Sequence, residues 1–168
     1  MIVVFLNLST IAAQLMLNVP VFFFDPIEQQ IGFAKTSDDV RTASATRSEG
    51  PTVLIVLGWA THLEEGLSSP TYDAEGLLAM NSEDFTVIRF DGRGFGLSDR
   101  NVEDHSIEAR VRDIEAVVDT LKLEQFFLHG VSSGGQASLL YAARHPDKVT
   151  GMTIGGSFGS LVIVSRKH

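Results

Sequence analysis

Phe126-Phe127-Leu128-His129-Gly130-Val131-Ser132-Ser133-Gly134-Gly135 is the stretch of this 168-residue chain that decides its fold. An apolar run leads into the pentapeptide Gly130-Val131-Ser132-Ser133-Gly134, a G-x-S-x-G pattern. The pattern predicts a strand over 126–131 and a helix over about 135–144. His145-Pro146 ends that helix, because proline disfavours helical geometry in the residue before it. A chain that reverses from strand to helix within so few residues strains the backbone of the central serine and pushes its hydroxyl out of the sheet edge. Positions two before and two after that serine are crowded, and Gly130 and Gly134 remove the Cβ atoms that would clash. By register Ser132 is the candidate nucleophile, since Ser133 would need a glycine where Val131 stands. The helix that follows aims its N-terminal N–H groups at the same point. The backbone N–H of Ser133 is therefore a candidate donor to a developing oxyanion.

Outward from this turn, Thr52-Val53-Leu54-Ile55-Val56-Leu57 is a continuous apolar, β-branched run, as expected for a strand buried on both faces. It ends in Gly58-Trp59-Ala60-Thr61-His62-Leu63. A second strand is expected over Phe85-Thr86-Val87-Ile88-Arg89-Phe90, followed by Asp91-Gly92-Arg93-Gly94-Phe95-Gly96-Leu97-Ser98-Asp99. Ile107, Val111, Ile114, Val118 and Leu121 then recur at helical spacing. Asp104 or Ser106 is placed to cap that helix, and Glu108 and Arg112 stand at i,i+4.

With these pieces in order, residues 52–156 resemble the N-terminal half of an α/β-hydrolase domain. The matching parts are the strand ending Leu57-Gly58-Trp59, the loop from Asp91 to Ser98, the turn around Ser132, and Ala142-Ala143-Arg144-His145-Pro146-Asp147-Lys148-Val149 leading into another strand. Residues 32–47 look like the first hairpin of that fold. The stretch is also similar to hydrolase domains found beside nucleotide-cyclase domains in bacteria. The resemblance implies an α/β fold, a three-layer α/β/α sandwich with a mainly parallel sheet and the hairpin at one edge. It implies a serine hydrolase acting on small molecules without a cofactor, on ester-type bonds first, with thioester or carbon–carbon bond hydrolysis and peroxidase-like variants as the other chemistries a serine here allows. The backbone N–H of Trp59 maps to the second oxyanion donor, although many family members carry His-Gly where this chain has Leu57-Gly58. Serine at position 132 argues against the dehalogenase and epoxide-hydrolase branches, which place aspartate there.

In the resembled family the triad runs Ser, acid, His along the chain. After Ser132 this chain offers only Asp147 as an acid, and with His145 it falls at a helix–strand turn on the far edge of the sheet. His168 is terminal, and a catalytic role for it is not expected. The chain therefore reads as a truncated α/β-hydrolase domain over 26–156, with an apolar leader over 1–25 and a divergent tail over 157–168. A non-catalytic fragment or pseudoenzyme acting as a binding module is the alternative. The far sheet edge would then be unpaired and open to self-association.

Composition narrows the remaining classes. A net charge of −8 argues against a nucleic-acid surface, and with no cysteine there is neither a disulfide nor a thiolate metal site. The five histidines show no metal-ligand spacing. His62 and His129 read as structural, His129 as buried, and Asp91 and Arg93 as a structural loop network. Gly92, Gly94 and Gly96 do not form G-x-G-x-x-G, and no dinucleotide site is expected. Residues 1–24 are apolar and long enough to span a bilayer, but Pro20, Asn7 and Asn18 interrupt them and no Lys or Arg precedes Lys35. A cytoplasmic location is expected, and membrane contact through 1–24 is the competing reading to a non-native start.

Overall fold

In a computed structural model of the chain, the described residues are 29–47, 50–59, 61–64 and 85–157. They form strands β1 (Gln30–Lys35), β2 (Arg41–Arg47), β3 (Thr52–Val56) and β4 (Thr86–Phe90), helix α1 (Ile107–Thr120), strand β5 (Phe126–Val131), helix α2 (Gly134–Arg144) and strand β6 (Val149–Gly155). The six strands make one sheet in the order β1-β2-β4-β3-β5-β6. The hairpin strands β1 and β2 lie at one edge, and β2 joins β4 antiparallel. The pairs β4–β3, β3–β5 and β5–β6 are all parallel. The mainly parallel α/β sheet with its edge hairpin is as the sequence predicts.

The apolar run of β3 is continuous because both faces of the strand are covered, and β4, buried likewise, is interrupted only by Arg89. Leu54, Val56, Ile88 and Phe90 point to the face where Val111, Ile114 and Val117 of α1 and Ala137 and Tyr141 of α2 complete the main core. Val53, Ile55 and Val87 form a second cluster on the opposite face, with Leu57, Phe127 and Val131 against it. The helix layer expected over that second face lies outside the described residues, as do the leader at 1–24 and all of the tail beyond Ser157. Among the described residues β6 is the outermost strand on its side. No helix among them is long and apolar enough to cross a membrane.

Of the two cap candidates Ser106 caps α1, its hydroxyl accepting the Ala109 N–H at 3.1 Å. One local expectation is corrected. The i,i+4 pair of Glu108 and Arg112 does not form. Glu108 binds Arg144 of α2 instead (2.7 Å), while Arg112 turns to Asp38 (3.0 Å) and Asp104 (2.8 Å). Partners on other elements outcompete the local one, which is worth only a few tenths of a kcal/mol on a free helix.

Candidate active site

The register of the parallel strands places Val56 beside Gly130. The chain therefore leaves β3 as Leu57-Gly58-Trp59 and leaves β5 as Ser132-Ser133 side by side, at the carboxyl edge of the sheet where open α/β sheets hold their ligands. Ser132 sits at φ 54°, one of three described non-glycine residues with positive φ, and is exposed. This left-handed conformation is sterically costly for a residue with a Cβ. It is held by hydrogen bonds on both sides of the residue. Its N–H donates to the Gly155 carbonyl (2.8 Å), and its own carbonyl accepts the Gly135 N–H (3.1 Å).

Small residues surround the turn. A Cβ at Gly58 would lie 2.9 Å from Ser132 Cβ and 3.0 Å from its Oγ. One at Gly134 would come within 2.2 Å of the Val56 carbonyl oxygen, so α2 starts in backbone contact with the end of β3. At Gly130 the obstacle is Ser138 Oγ, at 2.7 Å. The crowding expected between positions 130 and 134 is thus real, but each glycine is crowded by a different neighbour and not by the other.

Ser133 is the N-terminal cap residue of α2 without a side-chain cap bond, and its Oγ is buried with no partner among the described residues. The Trp59 ring is 61% exposed, edge-on to Phe95 (centroids 5.7 Å) and tilted against His105 (6.3 Å). Arg110 of α1 reaches under this wall. Its Nη1 donates to the Ser133 carbonyl (3.1 Å), its Nη2 to the Leu57 carbonyl (3.2 Å), and its guanidinium carbon lies 5.9 Å from the Trp59 ring centroid. Burial holds the Arg110 pKa below its ordinary value, and the charge of Asp113 opposes that shift. Sequence reading passed over Arg110 and Gly58. The signal for Arg110 is its position, three after Ile107 and four before Ile114, a charge inside the apolar stripe of the helix.

The neighbouring loop is structural, as expected. Asp91 is fully buried, and its Oδ2 accepts the N–H groups of Leu63 (3.2 Å) and Leu97 (2.9 Å). Ser98 Oγ donates to the Asp91 carbonyl (2.6 Å) and accepts the Ala43 N–H (2.8 Å). Arg93, 1% exposed, joins Asp38 (2.7 Å) and Asp113 (2.9 Å). His129 is half-buried and not buried as expected, its Nδ1 2.5 Å from Thr153 Oγ1. His145 caps the far end of α2, 3.0 Å from Glu115, and Asp147 follows it on that edge. His168 lies outside the described residues. Among those residues no group of three His, Asp or Glu side chains is placed to hold a metal ion.

Residues 51–165 match the family model described as alpha/beta hydrolase fold. Similar proteins include a proline iminopeptidase of Arabidopsis thaliana, 36% identical over 45% of this chain and 20% of the relative. A bifunctional esterase/perhydrolase of Acinetobacter calcoaceticus is 29% identical over 70% of this chain and 41% of that protein. The crystal structure of an epoxide hydrolase from Vigna radiata superposes with a TM-score of 0.62 over 76% of this chain and 39% of its own, at 22% identity. The chain spans less than half the length of each of these proteins.

Proposed function

The chain belongs to the α/β-hydrolase fold family, and on that premise we propose that it is a serine hydrolase domain cleaving ester-type bonds of small molecules, with Ser132 as nucleophile. The observation that carries this reading is the backbone of Ser132: a left-handed, exposed serine at a β5–α2 junction, with Gly58 packed against its hydroxyl. Nothing in folding requires a serine at that φ, and strain of this kind collects at functional sites. Serine here also separates the chain from the epoxide-hydrolase branch, whose resemblance would call for aspartate.

In this mechanism Ser132 Oγ bonds to the ester carbonyl carbon while a base takes its proton. The carbonyl oxygen becomes an anion and receives the N–H groups of Ser133 and Trp59. Collapse of the adduct breaks the bond to the alcohol, which leaves with the proton, and water then releases the acid from Ser132 in the same two steps. Donors of this kind, fixed before reaction, are worth about a hundredfold or more in rate each. A serine hydroxyl needs a base to be a good nucleophile at neutral pH. The base and the acid that orients it are assigned to sequence outside the described residues.

The placement of His145 against Glu115 (3.0 Å), at the end of α2 remote from Ser132, favours one second reading, a non-catalytic binding module on the same fold. A fluorophosphonate probe separates the two. Covalent labelling of the folded chain, lost in Ser132→Ala, is the expected result. A folded chain that resists the probe at every concentration tested leaves the binding module as the reading.

A further inference from the structure

Glycine is favoured at position 58, because a Cβ there would lie 2.9 Å from Ser132 Cβ and force a shift. Its cost is freedom: glycine restrains its own φ and ψ weakly, so the peptide carrying the Trp59 N–H lacks a local restraint. On the other side, Ser133 precedes two glycines, Gly134 and Gly135. The Ser132–Ser133 peptide is held by the Gly135 N–H on the Ser132 carbonyl (3.1 Å), whereas the Ser133 carbonyl and the Leu57 carbonyl before Gly58 are each bonded from α1. Arg110 is the only side chain among the described residues hydrogen-bonded to both turns, through the carbonyls of Leu57 and Ser133. It also touches the Trp59 ring. Among the described residues no carboxylate forms an ion pair with it. A half-buried guanidinium without a carboxylate contact is an expensive way to fill space that methionine would fill. Its planar fork is suited to spanning two acceptors in a fixed geometry.

We propose that Arg110 is a positioning residue for the reaction at Ser132: its fork fixes the Leu57 and Ser133 carbonyls and so holds the Trp59 and Ser133 N–H groups in register. Each clamped carbonyl lies within one residue of a peptide that carries a proposed donor. The inference rests on the reading of Ser132 as nucleophile for its catalytic consequence, but the clamp itself is a statement about the backbone.

The test compares the whole chain with Arg110→Met and Arg110→Lys. Two readouts are followed, the backbone amide resonances of Trp59 and Ser133, and the rate of fluorophosphonate labelling. In Arg110→Met the two amides shift or broaden while that of Gly32 in the hairpin stays, and labelling slows about tenfold or more. Lysine keeps the charge but cannot span both carbonyls, so Arg110→Lys recovers only a minor part of the lost rate. Unmoved Trp59 and Ser133 amides in a folded Arg110→Met protein overturn the proposal, and so does labelling at the wild-type rate. Full recovery by lysine overturns the fork in favour of charge alone. If the wild-type chain resists the probe while the amides move, the clamp stands and the assignment of Ser132 falls. Should Arg110→Met fail to fold, Arg110→Lys carries both readouts: displaced amides with slower labelling support the clamp, and unchanged values overturn it.

Discussion

At Ser132 the backbone is held at φ 54° by hydrogen bonds to Gly155 and Gly135, while a side chain rides on it that this conformation disfavours. Removing the hydroxyl and removing the strain are separable. Ser132→Ala keeps the Cβ, and Ser132→Gly does not. The αL region costs an L-residue about 1–2 kcal/mol, against which glycine loses about 0.5–1 kcal/mol of chain entropy. Ser132→Gly is expected to unfold at a higher urea concentration than Ser132→Ala, by a few tenths to about 1 kcal/mol, with neither variant labelled by the probe. An equal or lower midpoint would mean that the turn carries no strain. Gly58 makes the complementary case. Its Cβ as alanine would sit 3.0 Å from Ser132 Oγ, so the hydroxyl or the turn has to move by some tenths of an ångström. Misplacement on that scale is expected to slow labelling by Gly58→Ala about tenfold or more, with circular dichroism unchanged. Ser132 was legible in sequence because its physics is local: five residues force the turn. Gly58 and Arg110 were not, because their contacts are with residues 74 and 23 positions away in the chain: the apolar stripe of α1 marks Arg110 as out of place but does not say what it meets.

Between elements, the strongest polar tie runs through Arg93, which joins Asp38 in the β1–β2 turn to Asp113 on α1. Arg93 and Asp113 are each 1% exposed. Removing one partner of a buried pair leaves the other charge unsatisfied, at a cost of about 3–5 kcal/mol. Arg93→Met is expected to lower unfolding stability by that amount in urea titrations. Glu108→Gln, which breaks the Arg144 pair on the surface, is expected to change it by less than about 1 kcal/mol. Similar losses from the two variants would contradict the burial of the Arg93 network. The contrast explains what sequence reading recovered among the elements. Strand β3 reads correctly because a strand covered on both faces leaves a continuous apolar run, while β4 and β5 carry Arg89 and His129 within otherwise apolar stretches. The strand β2, Arg41-Thr42-Ala43-Ser44-Ala45-Thr46-Arg47, carries small and polar residues although positions 42–45 are buried, and only the family resemblance placed it. Charge pairing read worst. Local spacing nominated Glu108 with Arg112, whereas the folded chain brings each a partner from a distant segment.

For the molecule as a whole, the same network sets how stability responds to acid. Hydrogen bonds from Arg93 hold the Asp38 carboxyl well below the usual carboxylate range, with Thr36 and Arg112 adding to them against a smaller effect of burial. A depressed folded pKa stabilises above the unfolded value and loses that stabilisation as pH falls toward the folded one. For Asp38 this window opens near about pH 4 and extends downward. Asp113 works in the opposite sense. Burial pushes its carboxyl up despite Arg93, so its contribution is greatest at low pH and fades as pH rises through and above the carboxylate range. The two carboxylates flank one guanidinium and enter the wild-type acid limb with opposite signs, beside the depressed carboxyls of Asp104 and Glu108. Asp38→Asn removes the term that favours neutral pH and leaves the one that opposes it. The gain in urea midpoint between about pH 3 and about pH 6 is therefore expected to shrink in Asp38→Asn relative to wild type. An undiminished gain would place the acid sensitivity elsewhere and would deny the hairpin turn its role in tying the antiparallel edge of the sheet to α1.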